Sequence, residues 1–593
     1  MTADAKILRE MSNVVRADAL RAIRHAKSGH IGIALGAADI ITMIYAILLN
    51  PARDRFVLSA GHGSAMLYAV LKLAGYRIGD LDSFRRLRGL PGHPEFGIEG
   101  VSATTGPLGQ GVANAVGMAI AAKHNRTGGR IYCLCSDGDL MEGVAQEAIG
   151  FAGRYKLDNL VLIWDNNGRS MQGVAQTDVN IPMRMRAAGW TVRSANGHDF
   201  DEMYDALSPR ADGPLFVGCE TVLGFGSSLA GSSRAHGLEI DEDEMTDLID
   251  VFDSSRGREY WRTLARTHHA FPRPRYSVVP RVGLPDVPHF ISTREMSGVY
   301  LERLMRRGAN LILGSADLGP NTNVRVADVR DITADDFSGN YIDYGVREHA
   351  MAAIMNGLAY SGLRAVGSTF LVFSDYMRGA MRLSALSGLP VVYVLTHDSV
   401  AVGADGPTHQ PVEQLAGLRL IPNMNVFRPC NMAEVAWSWR TALSETNRPS
   451  CIVLSRQKIA RIGDSVCDEM DMGGYVIYRS SYGRVKITLI ATGSEVPLAT
   501  AVARRIGSGV QVVSVPSVSH FRAAPAEYRE SILRGRVIAI EAGATASWFE
   551  FADEVIGVDD FGMSGPGDMV YREYGFDADA IVAAIRAKLK NAR

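Results

Sequence analysis

Residues 132 to 143, YCLCSDGDLMEG, run an apolar strand-like segment into Asp137, Asp139 and Glu142. A helix-compatible run follows, VAQEAIGFAGRYK, and then a second apolar strand, NLVLIWD, that ends in NNGRS. Asp137 and Asn167 therefore stand at the carboxyl ends of two successive parallel strands, the edge at which open α/β sheets bind ligands. Asp, Asn and a nearby backbone carbonyl are hard oxygen donors suited to Mg²⁺ or Ca²⁺, and a cation held by so few protein charges usually also takes phosphate oxygens. The plainer alternative is that Asp137 or Asp139 caps the following helix. The matched Asn166 and Asn167 after the next strand shift the balance toward a metal.

Six of the 14 histidines stand beside Gly, Ser, Thr or Pro in loop-like contexts: His30, His62, His93, His236, His397 and His409. One such histidine is more often structural than functional. Six together suit the reading of sugar hydroxyls and the movement of protons among them, since a neutral imidazole both donates and accepts. Glu348 leads from YIDYGVREHAM into an apolar helix, where a carboxylate on the helix dipole is the plain reading. Phe370, Phe373 and Tyr376 in STFLVFSDYMR present an aromatic surface, with core packing as the alternative.

These residues need a scaffold of parallel strands, and the chain supplies one. Short apolar runs (RFVL, RIYCLC, NLVLIWD, NLILGS, RAVGSTF, LPVVYVLT, SCIVLS, KITLIA, VQVVSV, RVIAI) alternate with helical stretches, which indicates mostly parallel βαβ units. Five prolines between Phe271 and Phe290 mark an extended connector. The expected organisation is a domain over 1–270, a proline-rich linker over 271–290, a second domain over 291–470 and a C-terminal α/β domain over 471–593. Length alone asks for several domains. The stretch IGIALGAADIITMIYAILLN, residues 31 to 50, is predicted to be one long helix buried in a core, because Asp39 and two glycines spoil it as a membrane span. Lys+Arg 62 against Asp+Glu 64 leaves no basic field for nucleic acid. Six scattered cysteines without metal spacing suit unpaired thiols in a reducing compartment, with Cys133 and Cys135 on one face of a buried strand. The N-terminal residues lack a secretory or import pattern and KNAR is no peroxisomal address, so the cytoplasm is expected.

Taken together, CSDGDLMEG with WDNN, KSGHIG, LSAGHGSAMLY, GHPE, TTGPLGQGVANAVGMA, SLAGSSRAHG, GSADL, YGVREHAM, GSTF, THDSVAVGADGPTHQP and LSRQ resemble the transketolase family of thiamine-diphosphate enzymes, in order from about residue 10 to EYGF near the C-terminus. The resemblance implies two thiamine-diphosphate-binding-type domains, for the diphosphate and the pyrimidine, and a C-terminal α/β domain. It implies that Asp137, Asn167 and the carbonyl of Arg169 bind the divalent metal (Mg²⁺, Ca²⁺ or Mn²⁺) that bridges to thiamine diphosphate. Gly106 to Gly111, Leu108 and Gly138 would let the backbone approach closely, and His62 and His236 would contact the diphosphate end. Asp317 joins the cofactor-binding set, and Glu142 would lie at the subunit interface beside the cofactor. Glu348 would hydrogen-bond the aminopyrimidine, in a pocket of Phe370, Phe373 and Tyr376. His30, His93, His236 and His409 would face the reacting centre and assist proton movements. Arg294, Arg456, His397 and Asn321 would hold the sugar phosphate, and Asp405 would read a substrate hydroxyl.

The implied activity is reversible transfer of a two-carbon ketol unit from xylulose 5-phosphate to ribose 5-phosphate or erythrose 4-phosphate, within the pentose phosphate pathway. It proceeds in ping-pong order with a dihydroxyethyl unit on the cofactor. Each cofactor would be clamped between the first domain of one subunit and the second domain of its partner, which implies a homodimer. Three departures stand out: Ser136 where the family usually has Gly, Asn321 where it usually has Ser, and a short stretch between His236 and Arg294. Dihydroxyacetone synthase, deoxyxylulose-phosphate synthase and a catalytically silent scaffold are the alternatives. The intact Asp137, Asn167, Glu348 and loop histidines argue against the scaffold.

Overall fold

The protein is described by a computed structural model covering residues 4–178, 180–265, 274–463 and 467–591. The expected domain end at residue 270, the start of the connector at 271 and Pro272 lie outside the described residues. The chain divides into two compact units. One holds the described residues up to Arg275 with Thr333–Ser338 and Ala353–Gly362, and the other holds the remainder.

The first unit is built on a parallel sheet of β1 (Arg55–Leu58), β2 (Ile131–Ser136), β3 (Leu160–Asn166), β4 (Thr191–Asn196) and β5 (Leu215–Glu220), in the order β1-β2-β3-β5-β4. Strands covered on both faces read as continuous apolar runs rather than alternating ones, which is the pattern of β2 and β3. Cys133 and Cys135 are buried in β2, and all six cysteines are free thiols. Helix α1 (Ala5–Ala26) starts at Asp4, whose side chain accepts from the Lys6 N–H, and stops at Lys27 in a left-handed conformation.

Residues 31 to 50 correct the expectation of one long helix. They form α2 (Ile31–Gly36), α3 (Ala38–Met43) and a single wide turn, Ile44–Leu48. The segment is buried as expected, but its glycines serve close packing. A Cβ on Gly36 would lie 2.8 Å from the Val222 carbonyl, and one on Gly32 would lie 2.6 Å from that of Ala235. The loop carrying Leu223 and His236 can therefore seat directly on this backbone. Asp39 is neutralised where it lies, by Arg16 at 2.7 Å, Arg9 at 2.6 Å and His198 at 2.8 Å. Among the described residues no helix is long and apolar enough to cross a membrane.

The second unit is built on two sheets of six and five strands, beside a two-stranded antiparallel ribbon of Phe290–Ile291 with Ile459–Ala460. The first is fully parallel: β6 (Leu311–Ser315), β7 (Tyr341–Asp343), β8 (Arg364–Phe370), β9 (Val392–Thr396), β10 (Asn425–Phe427) and β11 (Ser450–Leu454), ordered β7-β6-β8-β9-β11-β10. The other is β12 (Tyr475–Arg479), β13 (Ile487–Ala491), β14 (Val510–Ser514), β15 (Arg536–Ile540) and β16 (Glu554–Ile556), ordered β12-β14-β13-β15-β16, with β12 alone antiparallel. Arg428 ties the two together from full burial, bonding Asp398 at 2.9 Å, Glu495, and the Thr492 carbonyl at 2.9 Å.

Candidate active site

The carboxyl edge of the first sheet is set by the register of β2 on β3, which pairs Ser136 with Asp165 and so places the residues just beyond each strand side by side. Here both readings of the acidic cluster hold, for different carboxylates. Ser136 is the N-cap of α6 (Asp137–Met141) and forms a capping box with Asp139. Asp137, the first residue of that turn, faces a cavity of about 680 Å³ together with His62, Gly106, Leu108, Gly138, Asn167, Arg169 and His236.

Asp137 Oδ1 accepts from Trp164 Nε1 at 3.2 Å, and its Oδ2 is buried without a partner. Burial and the neighbouring Asp165 charge push its carboxyl up to about 7. Asn167 is oriented unambiguously: its Nδ2 donates to Asp165 at 3.0 Å and its Oδ1 accepts from the Arg169 N–H at 3.0 Å. Among the described residues no three His, Cys, Asp or Glu side chains cluster as a metal site. A cation here would therefore rest on one carboxylate and neutral oxygens, and would leave positive charge for a diphosphate to meet. The cradle is shaped for close backbone approach: Gly106 sits at φ +145°, and a Cβ on Gly138 would lie 2.8 Å from Leu108. A lone, orphaned carboxylate oxygen above a glycine-lined hollow fits a divalent cation with its diphosphate.

Four of the six loop histidines meet in this unit. His30 lies 5.4 Å from His62, 6.1 Å from His93 and 5.7 Å from His236 between ring centroids, and His62 stacks on His236 at 5.2 Å. Burial, reinforced by the neighbouring imidazoles, holds His62 at about 3; burial, then Arg85 and the neighbouring imidazoles, holds His30 at about 4; and burial also lowers His93 and His236. The cluster is neutral at pH 7. Arg85 donates from Nη2 to His30 Nδ1 at 3.2 Å and from Nη1 to Ser28 at 2.6 Å, which leaves the His30 proton on Nε2. Sequence reasoning missed Arg85, which carries no motif of its own in FRRLRG. It missed Asp165 and Trp164 as well, although WDNN contains both.

In the second unit Glu348 opens α9 (Glu348–Tyr360) and is buried, with a raised pKa caused by that burial. Its Oε1 accepts from Thr369 at 3.4 Å, next to Phe370 at the end of β8. Phe370, Phe373 and Tyr376 form a ladder, with centroids 5.9 and 6.2 Å apart. Phe370 is buried, Phe373 half-buried and Tyr376 68% exposed, so the ladder runs from the core to the surface, and core packing accounts for its inner ring alone. Phe370 stacks on His397 at 3.6 Å, and Phe373 meets His409 edge-on at 5.3 Å. His397 lies at φ +62°, a costly backbone conformation for a side chain of that size, and burial together with Arg294, Arg456 and His409 holds it at about 3. Arg294 sits in the first turn of α8 (Thr293–Arg306) and donates to the Asn321 carbonyl, and Arg456 donates to that of Val402 at 2.7 Å. Of the expected phosphate set, Arg294 and Arg456 thus lie within electrostatic reach of His397, and Arg294 is bonded to the backbone of Asn321. Asp317 and Asp405 are exposed, and Glu142 is exposed and does not line the first cavity.

Three family models match the chain in sequence: the transketolase thiamine diphosphate binding domain over residues 7–255, the transketolase pyrimidine binding domain over 289–461 and the transketolase-like TK C-terminal domain over 473–577. The chain is 38% identical to the transketolase of Geobacillus stearothermophilus, with 97% of this chain and 98% of that one covered. That alignment runs over 654 positions, so the relative carries stretches absent from these 593 residues. Among solved structures the chain superposes on a transketolase from Leishmania mexicana with a TM-score of 0.93 at 32% identity, covering 100% and 98% of the two chains. It superposes on a Pichia stipitis transketolase in complex with sedoheptulose 7-phosphate with a TM-score of 0.88 at 30% identity, covering 98% and 97%.

Proposed function

Because the chain belongs to the transketolase family, whose members are thiamine-diphosphate-dependent transferases, we propose that it moves a two-carbon ketol unit from xylulose 5-phosphate to ribose 5-phosphate or erythrose 4-phosphate. The observation that carries this reading is the single cavity in which the orphaned Asp137 oxygen, Asn167, His62 and His236 meet. A sugar phosphate bound in the structural relative from Pichia stipitis is of the substrate class that such a site and the Arg294–Arg456–His397 cluster suit. Dihydroxyacetone synthase and deoxyxylulose-phosphate synthase gain no support from these relatives.

When bound, thiamine diphosphate supplies a carbon nucleophile and an electron sink. Asp137, Asn167 and the Arg169 carbonyl would hold its cation, with Mg²⁺ as the working choice. Burial raises the pKa of Glu348, which favours the acid form that would donate toward a pyrimidine nitrogen. The ladder of Phe370, Phe373 and Tyr376 offers that ring a face. Neutral His30 and His93 can give and accept protons at sugar oxygens, with His409 as a further imidazole for that work, and Arg85 fixes which nitrogen of His30 carries the hydrogen. Arg294, Arg456, His397 and Asn321 would anchor the phosphate, and Asp405 a hydroxyl. The exposure of Glu142, Asp317 and Tyr376 suits a homodimer in which the partner covers them. The domain scheme 1–270, 271–290, 291–470 and 471–593 and a cytoplasmic setting belong to the same reading, the latter supported by six free thiols.

The test is mass spectrometry of products from xylulose 5-phosphate and ribose 5-phosphate with thiamine diphosphate and Mg²⁺, beside a control without cofactor. Cofactor-dependent sedoheptulose 7-phosphate and glyceraldehyde 3-phosphate are expected. A folded, cofactor-bound dimer that forms neither would overturn the assignment.

A further inference from the structure

Asp139 lies two residues from Asp137, yet it does not line the cavity. Its side chain is fully buried, and both oxygens are saturated by donors from three separate segments. Oδ1 accepts from Ser59 Oγ at 2.5 Å, beyond the end of β1, and from the Gly109 N–H at 2.7 Å. Oδ2 accepts from the Ser136 N–H and Oγ, each at 2.9 Å, at the end of β2. Four donors fill the acceptor sites that a carboxylate has. Gly109 sits at φ +79° in the turn between Leu108 and α5 (Gln110–His124), and Leu108 and Gly106 are both walls of the cavity. One carboxylate therefore bolts the glycine loop to two neighbouring strand ends.

We propose that Asp139 is a positioning residue that shapes this loop before cofactor arrives, and that Ser136, standing where the family usually has Gly, is part of the same clip. The inference rests on the thiamine-diphosphate reading of the cavity and deepens it. The diphosphate cradle depends on backbone placement, and backbone is held most firmly by buried hydrogen bonds from rigid elements. Ser136 contributes what Gly cannot, a hydroxyl that donates to Asp139 Oδ2 and caps α6. The N–H at position 136 bonds Asp139 whatever the side chain, so replacing this serine removes a single donor of the four.

The test uses the full chain and its variants Asp139→Asn, Ser59→Ala and Ser136→Gly, with two measurements. In cofactor-free protein, hydrogen exchange over residues 105–111 is expected to speed up about 10-fold or more in Asp139→Asn and severalfold in each serine variant. At fixed Mg²⁺, the thiamine diphosphate Kd from calorimetry is expected to rise about 10- to 100-fold in Asp139→Asn, by analogy with the loss of outer-shell partners at metal sites. Ser59→Ala at saturating cofactor is expected to keep kcat within about twofold, a split between cofactor affinity and turnover that a merely structural role would not produce. Folded variants with unchanged exchange and unchanged Kd would overturn the inference. If Asp139→Asn does not fold, the two serine variants decide on the same readings. If the unsubstituted chain fails to bind thiamine diphosphate, the reading of the cavity fails, and loop exchange alone then decides whether the clip exists.

Discussion

At the scale of single residues, burial sets the chemistry. Glu348 is at a helix N-terminus, which favours its anion, and in a buried position, which favours its acid; burial wins and its pKa is raised. Replacing it by Gln or Ala is expected to lower kcat by at least about 100-fold, measured as product formation at saturating cofactor. Thermal unfolding of the cofactor-free protein should stay nearly unchanged, because the side-chain bond that is lost, from Thr369, is long at 3.4 Å. The histidine cluster gives a prediction with a definite sign. His62 and His30 are held at about 3 and about 4, below the ordinary 6.5, so the unfolded chain binds protons that the folded chain refuses. Their contribution to stability is complete above pH 6.5 and is lost as pH falls from 6.5 toward 4, at about 1.4 kcal/mol per pH unit for each imidazole. Urea unfolding of cofactor-free protein between pH 7.5 and 5 should show this slope, and His62→Asn should flatten it by about one such increment. A slope indifferent to that substitution would count against a cluster held neutral by burial.

At the scale of elements, the alternating strands and helices were legible because the parallel strands are buried on both faces and leave short apolar runs as their signature. The stretch from Ile31 to Asn50 was legible as buried but not as broken. Its composition permits a continuous helix, and the interruption follows from the close approach of the Val222 and Ala235 carbonyls, which no local pattern announces. Helix α8 shows how an element places a site residue. Ser292 accepts from the Glu295 N–H, Glu295 returns the bond at 2.9 Å, and this box fixes the turn that presents Arg294. Ser292→Ala is expected to cost about 1 kcal/mol in urea unfolding. The KM for the ketose phosphate should rise with it, since the turn bearing Arg294 loosens.

At the scale of the whole molecule, the second unit is joined by charge in its interior. Arg428 bridges Asp398 and Glu495, while Arg419 holds Glu541 in a two-pronged pair at 2.7 and 2.8 Å. Arg428→Met would leave two buried carboxylates facing each other without their cation. The expected loss is about 3 to 5 kcal/mol, read as a large drop in the calorimetric unfolding temperature. The proposed dimer makes a prediction of its own: sedimentation should give twice 64.1 kDa, and activity should fall on dilution below the dissociation constant even at saturating cofactor. A fully active monomer would contradict a site completed by the partner.

By itself the sequence determined the α/β class, the strand ends at which the site lies, and the identity of the residues with chemical reach, because strand periodicity and motif spacing are local properties of the chain. What only the tertiary structure decided is which of them meet and in what state. Asp137 and Asp139 are two residues apart and chemically identical in the sequence, yet one faces a cavity with an orphaned oxygen and the other is spent on a loop. The difference is made by Ser59, eighty positions away from Asp139, and by Trp164 on the next strand. Partners so distant in the chain exist only once the sheet has folded, and it is their hydrogen bonds and the water they exclude that give each carboxylate its role.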